Sequence, residues 1–108
     1  MTSIKNLDSL AYIGKNANFF LTPITDLRNL TYIKGNANFS SSCIKYLNRL
    51  GYIDGVAIFK DCKIENLESL ICIKGCANFE GTTVKKFNDF CDFLGGIKGL
   101  KIADIENE

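Results

Sequence analysis

Five cysteines, Cys43, Cys62, Cys72, Cys76 and Cys91, are the residues of this 108-residue chain most suited to chemistry. Thiolates bind zinc or act as nucleophiles, and either task needs company: further ligands that converge, or an adjacent base. The chain has no histidine, which removes the commonest general base and metal ligand. Cys72 and Cys76 are four apart, Cys91 lies fifteen beyond, and no C-x-x-C occurs. An odd count without paired spacing argues for reduced thiols in a cytosol rather than a secreted disulfide framework. Asp8, Asp26, Asp54, Asp61, Glu65, Glu68, Asp89 and Asp92 form no column that pairs carboxylates. Walker, G-x-S-x-G and H-E-x-x-H motifs are absent. The expectation is a non-enzymatic chain with no catalytic, metal or cofactor site, its cysteines standing in for small semi-polar residues.

Charge narrows the partners. Thirteen basic and twelve acidic residues give a net charge of +1, scattered without a block of one sign. Capture of nucleic acid or of an anionic membrane is therefore disfavoured. No apolar run approaches the ~20 residues of a membrane span, and the N-terminus reads as no signal peptide. Basic residues are mostly Lys, and Ile and Asn are abundant. That bias follows AT-rich coding and points to the cytoplasm of a bacterium, with a phage gene as one source.

The elements that would position any site are set by a repeat. At period 20, Ile4, Ile24, Ile44, Ile64 and Val84 share a column, followed by Leu7, Leu27, Leu47, Leu67 and Phe87. Next come Leu10, Leu30, Leu50, Leu70 and Phe90, then Ile13, Ile33, Ile53, Ile73 and Phe93. Ala17, Ala37, Ala57, Ala77 and Phe19, Phe39, Phe59, Phe79 complete six apolar columns. A single coil cannot bury them; stacked coils make one continuous core. Spacing near three in the first half predicts a short 3₁₀ or loosely helical segment. A glycine (Gly14, Gly35, Gly55, Gly75) supplies freedom to turn out of it. The alternating A-x-F predicts strands at about 16–20, 36–40, 56–60 and 76–80.

This I-x-x-L-x-x-L-x-x-I-x-G-x-A-x-F unit resembles the leucine-rich repeat superfamily, closest to short bacterial and phage repeats and to receptor L-domain coils. The resemblance covers residues 4 to about 93 and lacks the Asn-ladder form of the ribonuclease-inhibitor-like branch. It implies a curved right-handed solenoid that binds protein. The expected fold is an α/β repeat solenoid: about five 20-residue coils with a short parallel β-sheet on one face. The single domain, 1–108, divides into repeats at about 4–23, 24–43, 44–63 and 64–83, with a C-terminal capping repeat at 84–108. In that cap Gly95, Gly96 and Gly99 break the period, Leu100 and Ile102 make a shifted strand, and acidic 104–108 exposes a polar end. At the other end strand 16–20 is an uncapped edge, open to a homodimer partner.

Binding residues are sought where the outward positions vary. The outer rows of the A-x-F strand are Asn16, Asn36, Val56, Cys76; Asn18, Asn38, Ile58, Asn78; and Phe20, Ser40, Lys60, Glu80. Val56 and Ile58 interrupt the Asn rows with apolar side chains on a face expected to be wet. They form the candidate patch, with Asn18, Asn38, Asn78, Lys60, Glu80 and Phe20 around it. Tyr12, Tyr32 and Tyr52 make a second aromatic row suited to interfaces, or simply a cover for the next coil. The functional expectation is a protein-binding module that occupies a partner's surface. The alternatives are a phage-encoded, anti-CRISPR-like inhibitor of a defence nuclease and a homo-oligomeric structural repeat.

Overall fold

The computed structural model describes residues 2–3, 10–86, 88 and 90–102. The expectations for Ile4, Leu7, Asp8, Phe87, Asp89 and 104–108 lie outside the described residues. The chain is a parallel β-solenoid of about four turns, and no helix occurs among the described residues. Each coil crosses three sheets rather than one, so the α/β label, the count of five coils and the single sheet on one face are all corrected.

The first sheet holds Thr2–Ser3, Ala17–Asn18, Ala37–Asn38, Ala57–Ile58, Ala77–Asn78 and Ile97–Lys98, in that order. The second holds Tyr12–Ile13, Tyr32–Ile33, Tyr52–Ile53, Cys72–Ile73 and Asp92–Phe93. The third holds Lys63–Asn66, Thr83–Lys86 and Lys101–Ile102, prolonged by bridges from Asn66 to Tyr46 and from Tyr46 to Asp26. We call the first two the alanine and tyrosine sheets. Ala17 pairs with Ala37, Ala37 with Ala57 and Ala57 with Ala77, so the sequence period is the strand register.

The helical reading fails for a local reason. Leu30 donates its N–H to the carbonyl of Leu27 at 3.0 Å, Leu50 to Leu47 at 2.9 Å and Leu70 to Leu67 at 3.0 Å. Each L-x-x-L is one closed turn, with positive φ at Arg28 (53°) and Asn48 (54°). Positive φ ends helical winding at once in those two coils, the Leu67–Leu70 turn closes without it, and all three corners bury both leucines. A second corner follows each phenylalanine. Thr22 and Ser42 donate N–H to Phe19 and Phe39 at 3.2 Å, and Leu21, Ser41, Asp61 and Gly81 share positive φ there.

The core is these columns stacked on themselves. Phe19, Phe39, Phe59 and Phe79 are fully buried, with successive ring centroids 4.8, 4.7 and 4.9 Å apart and planes within 6°. The small alanine two residues before each phenylalanine, on the same inward face, leaves space for the rings, and Ala17, Ala37, Ala57 and Ala77 are likewise buried. A seventh inward column accompanies them: Thr22, Ser42, Cys62 and Thr82, all buried. Its hydroxyls are satisfied by the phenylalanine carbonyls, Thr22 Oγ1 to Phe19 at 2.9 Å and Ser42 Oγ to Phe39 at 2.7 Å.

The glycine column serves close approach rather than turning. Gly35, Gly55 and Gly75 do not have positive φ. A Cβ on Gly75 would stand 2.5 Å from the Gly55 carbonyl, and Gly95 repeats the contact on Gly75. Gly95 therefore keeps the period it was expected to break.

The ends depart from expectation. Thr2–Ser3 pairs with Ala17–Asn18, so the alanine sheet does not end on the strand expected to be its open edge. At the C-terminus Ile97 stays in register with Ala77, while Lys101 pairs with Thr83, a coil two residues short. The shifted final strand is thus Lys101–Ile102. Phe90 leaves its expected core column and is 90% exposed. The turn there closes from Cys91 N–H to Asn88 carbonyl, one residue later than Leu67–Leu70, which puts Phe90 at the tip.

Candidate protein-binding faces

The outer side of the alanine sheet carries the rows singled out in the sequence. Asn16 Oδ1 accepts the N–H of Asn36 at 2.7 Å, and Asn36 Oδ1 accepts that of Val56 at 2.8 Å. Val56 has no oxygen to offer Cys76, so the ladder stops at the third coil. Asn18, Asn38 and Asn78 bend back instead, accepting the N–H of Phe20, Ser40 and Glu80 at 2.9–3.0 Å. Their oxygens hold the turn that leaves the strand. Val56 is exposed at only 36%, Ile58 is half-buried, and Lys60 is exposed. Glu80 pairs with Lys98 at 3.7 Å, and Phe20 is 48% exposed at the first coil's corner. Strand register sets Val56 and Ile58 beside the asparagines, with Phe20 at the far end.

The tyrosine sheet presents a larger apolar surface. Tyr12, Tyr32 and Tyr52 lie in register, with ring centroids 5.5 and 5.8 Å apart. Tyr12 and Tyr52 are exposed and Tyr32 is half-buried between them. The side chain of Ile71, also exposed, lies over Gly51 beside Tyr52, since Gly51 has no side chain to fill that space. Leu94, exposed, lies in the turn that follows Asp92–Phe93, the last strand of the same sheet among the described residues. Sequence reasoning marked the tyrosines but passed over Ile71 and Leu94. The signal was present: Ile71 breaks a column of Ala11, Thr31 and Gly51, as Val56 breaks the asparagines.

Electrostatics fix the centre of this face. The Tyr32 hydroxyl donates to Asp54 Oδ2 at 2.5 Å, and Lys74 Nζ lies 3.5 Å from Asp54 Oδ1. The chain Tyr32–Asp54–Lys74 ties three successive coils together. The hydrogen bond to Asp54, helped by partial burial and the carboxylate charge, pushes the Tyr32 phenol up to about 12. The hydrogen bond to Asp54 orients the hydroxyl, and the shift delays its ionisation to strongly alkaline pH.

The cysteines do not converge. Cys62 sits in the buried hydroxyl column, its thiol donating to the Phe39 carbonyl at 2.9 Å and its N–H to Thr82 Oγ1 at 2.9 Å. Burial pushes its thiol pKa up. Cys43 and Cys76 are exposed, and Cys72 continues the tyrosine column. Among the described residues no three Cys, Asp or Glu side chains group as metal ligands. No protein-family model matches the chain, and no curated protein or solved structure matches it significantly.

Proposed function

We propose that the chain is a non-enzymatic protein-binding solenoid that occupies a partner's surface with its tyrosine sheet. The observation that carries this reading is the run of Tyr12, Tyr32, Tyr52 and Ile71, an apolar surface held rigid on strands of fixed register. Interfaces are built around a few aromatic anchors on ordered backbone, because such side chains add contact area at little entropic cost. Lys34 and Lys74 border the run against Asp54 and Asp92, a balanced rim that leaves the apolar centre to define the partner patch.

The Val56 and Ile58 patch is the weaker surface, since half of it is covered. The test compares partner capture from a native-host lysate by two folded variants. Tyr12→Ala with Tyr52→Ala loses the partner, while Val56→Asp with Ile58→Asp retains it. The reverse pattern moves the site to the alanine sheet, and a partner retained by both variants rejects both faces.

A further inference from the structure

Three columns make up the outer face of the tyrosine sheet. Tyr12, Tyr32, Tyr52 and Cys72 run down the middle, in register. On one side of them stand Ala11, Thr31, Gly51 and Ile71, and on the other, one residue past each core isoleucine, Gly14, Lys34, Asp54 and Lys74. The last column is unevenly satisfied. Asp54 holds Lys74 Nζ at 3.5 Å with one oxygen and the Tyr32 hydroxyl with the other, whereas Lys34 is exposed and makes no ion pair among the described residues. A carboxylate has about four lone-pair sites, so Asp54 has room for a second cation. The apolar column is uneven too: Ile71 stands out over Gly51, and Ala11, two rungs further, is exposed and small.

We propose that a second copy of the chain covers this face, docked sheet on sheet about a two-fold axis parallel to the strands and midway between the Tyr32 and Tyr52 rungs. The inference rests on the tyrosine sheet being the binding face and adds what occupies it. Such an axis sets each column against itself in reverse order, so every contact occurs twice. Lys34 of each copy stands opposite Asp54 of the other, giving the unpaired cation its carboxylate. Tyr32 stands opposite Tyr52, Thr31 opposite Gly51, and Ile71 opposite Ala11, which leaves it room. The Asp92 rung overhangs the contact, so its carboxylate stays in water. Lys15, exposed at the corner beyond the sheet, lies at the rim, where solvent screens it from Lys74.

Other placements of the axis lack this match. On the Tyr52 rung it sets Asp54 against Asp54 and Lys34 against Lys74. On the Tyr32 rung it sets Lys34 against Lys34. Between the Tyr52 and Cys72 rungs it keeps Asp54 against Lys74 but sets Tyr32 against Asp92 and Lys34 against Leu94. An axis along the solenoid sets the charged column against the apolar one. Strands of two residues keep the face narrow, so the contact is small and the dimer weak.

The test is the molar mass of the full chain by sedimentation across a concentration series that reaches the millimolar range, with circular dichroism to verify folding. A concentration-dependent dimer is expected, weakened at least about tenfold by Lys34→Asp, which opposes like charges twice. Ala11→Arg, at an exposed position, closes the space opposite Ile71 and abolishes the dimer. Inverting the column with Lys34→Asp, Asp54→Lys and Lys74→Asp together restores it, and Val56→Asp with Ile58→Asp leaves it unchanged. A monomer at every concentration overturns the proposal, as does a dimer indifferent to Lys34→Asp and Ala11→Arg. A folded inverted variant that stays monomeric overturns the register. The wider reading fails separately: a monomeric wild type that captures a lysate partner, and loses it in Tyr12→Ala with Tyr52→Ala, keeps the tyrosine sheet as the binding face and rejects only the second copy.

Discussion

The N–H of Gly75 donates to the carbonyl of Gly55 at 3.0 Å, and the same carbonyl occupies the space a Gly75 side chain would need. Backbone rests on backbone here. A side chain cannot relieve the contact by changing rotamer, because both partners are main chain. Gly75→Ala forces the coils apart and is expected to cost at least about 1–3 kcal/mol, the usual scale of overpacking. Gly96 makes the control: a Cβ there meets nothing within 4 Å, and its φ of 92° leaves only backbone strain. Urea denaturation of the two variants should rank Gly75→Ala well below Gly96→Ala. A Gly75→Ala midpoint equal to that of the wild type would contradict the stacking.

That glycine column shows what the sequence could and could not convey. Period and column membership were legible, because a stacked solenoid gives every residue of a column the same surroundings. Buried Leu27, Leu47 and Leu67 or Phe19 to Phe79 could be read from identity alone. The reason for a residue was harder. Glycine serves both turns and close approaches, and only the coil-to-coil distance separates them. L-x-x-L spacing fits a helix and an i→i+3 corner equally, so the wrong one was expected. The Thr22, Ser42, Cys62, Thr82 column was visible but looks like polar surface until its hydroxyls are seen on the phenylalanine carbonyls. The one-residue slip that expels Phe90 has no sequence signal, since Phe87 and Phe90 keep the motif's spacing. On the two candidate faces, the tyrosine row was legible and the greater exposure of Tyr12 and Tyr52 than of Val56 and Ile58 was not, because fractional exposure depends on neighbouring coils.

Phe59 is stacked on both faces, by Phe39 at 4.7 Å and Phe79 at 4.9 Å. Phe59→Ala removes both contacts and leaves a cavity that rigid coils cannot close. The expected loss is ~3–5 kcal/mol, a large part of the stability of a domain this size. Thermal unfolding should show a much lower midpoint, or no cooperative transition. An unchanged midpoint would refute the stack.

Tyr32 gives the fold a dependence on alkaline pH. Its phenol titrates at about 12 in the folded chain against 10 in the ordinary case, because Asp54 accepts its proton in a hydrogen bond. A group whose pKa is raised by folding contributes stability that is present below its unfolded pKa and lost as pH rises through the folded one. The window is therefore pH 10 to 12. The melting point should fall across it in the wild type, and less steeply in Tyr32→Phe. Phenolate absorbance should likewise show one late-titrating tyrosine that moves toward 10 in Asp54→Ala. If that titration stays late without Asp54, the hydrogen bond is not its cause.

The cysteines differ by what each column asks of them. Cys62 occupies a position where the neighbouring coils place Ser42 and Thr82, and its thiol makes the bond a hydroxyl makes, to the Phe39 carbonyl. Cys62→Ser keeps a donor there and is expected to stay within about 1 kcal/mol of wild type. Cys62→Val fills the space but loses the thiol's bond to the Phe39 carbonyl, which keeps the Ser42 N–H and hydroxyl as donors, so the cost is expected at about 0.5–1.5 kcal/mol. Reactivity divides the same way. Only the thiolate attacks a disulfide reagent, and burial both raises the Cys62 pKa and blocks approach. Cys43 and Cys76, both exposed, should react fast in the native protein. Cys62 should react only when the solenoid unfolds, at a rate that follows global opening. Mass spectrometry of alkylated peptides reads all five sites at once, and early labelling of Cys62 would mean its column is not sealed.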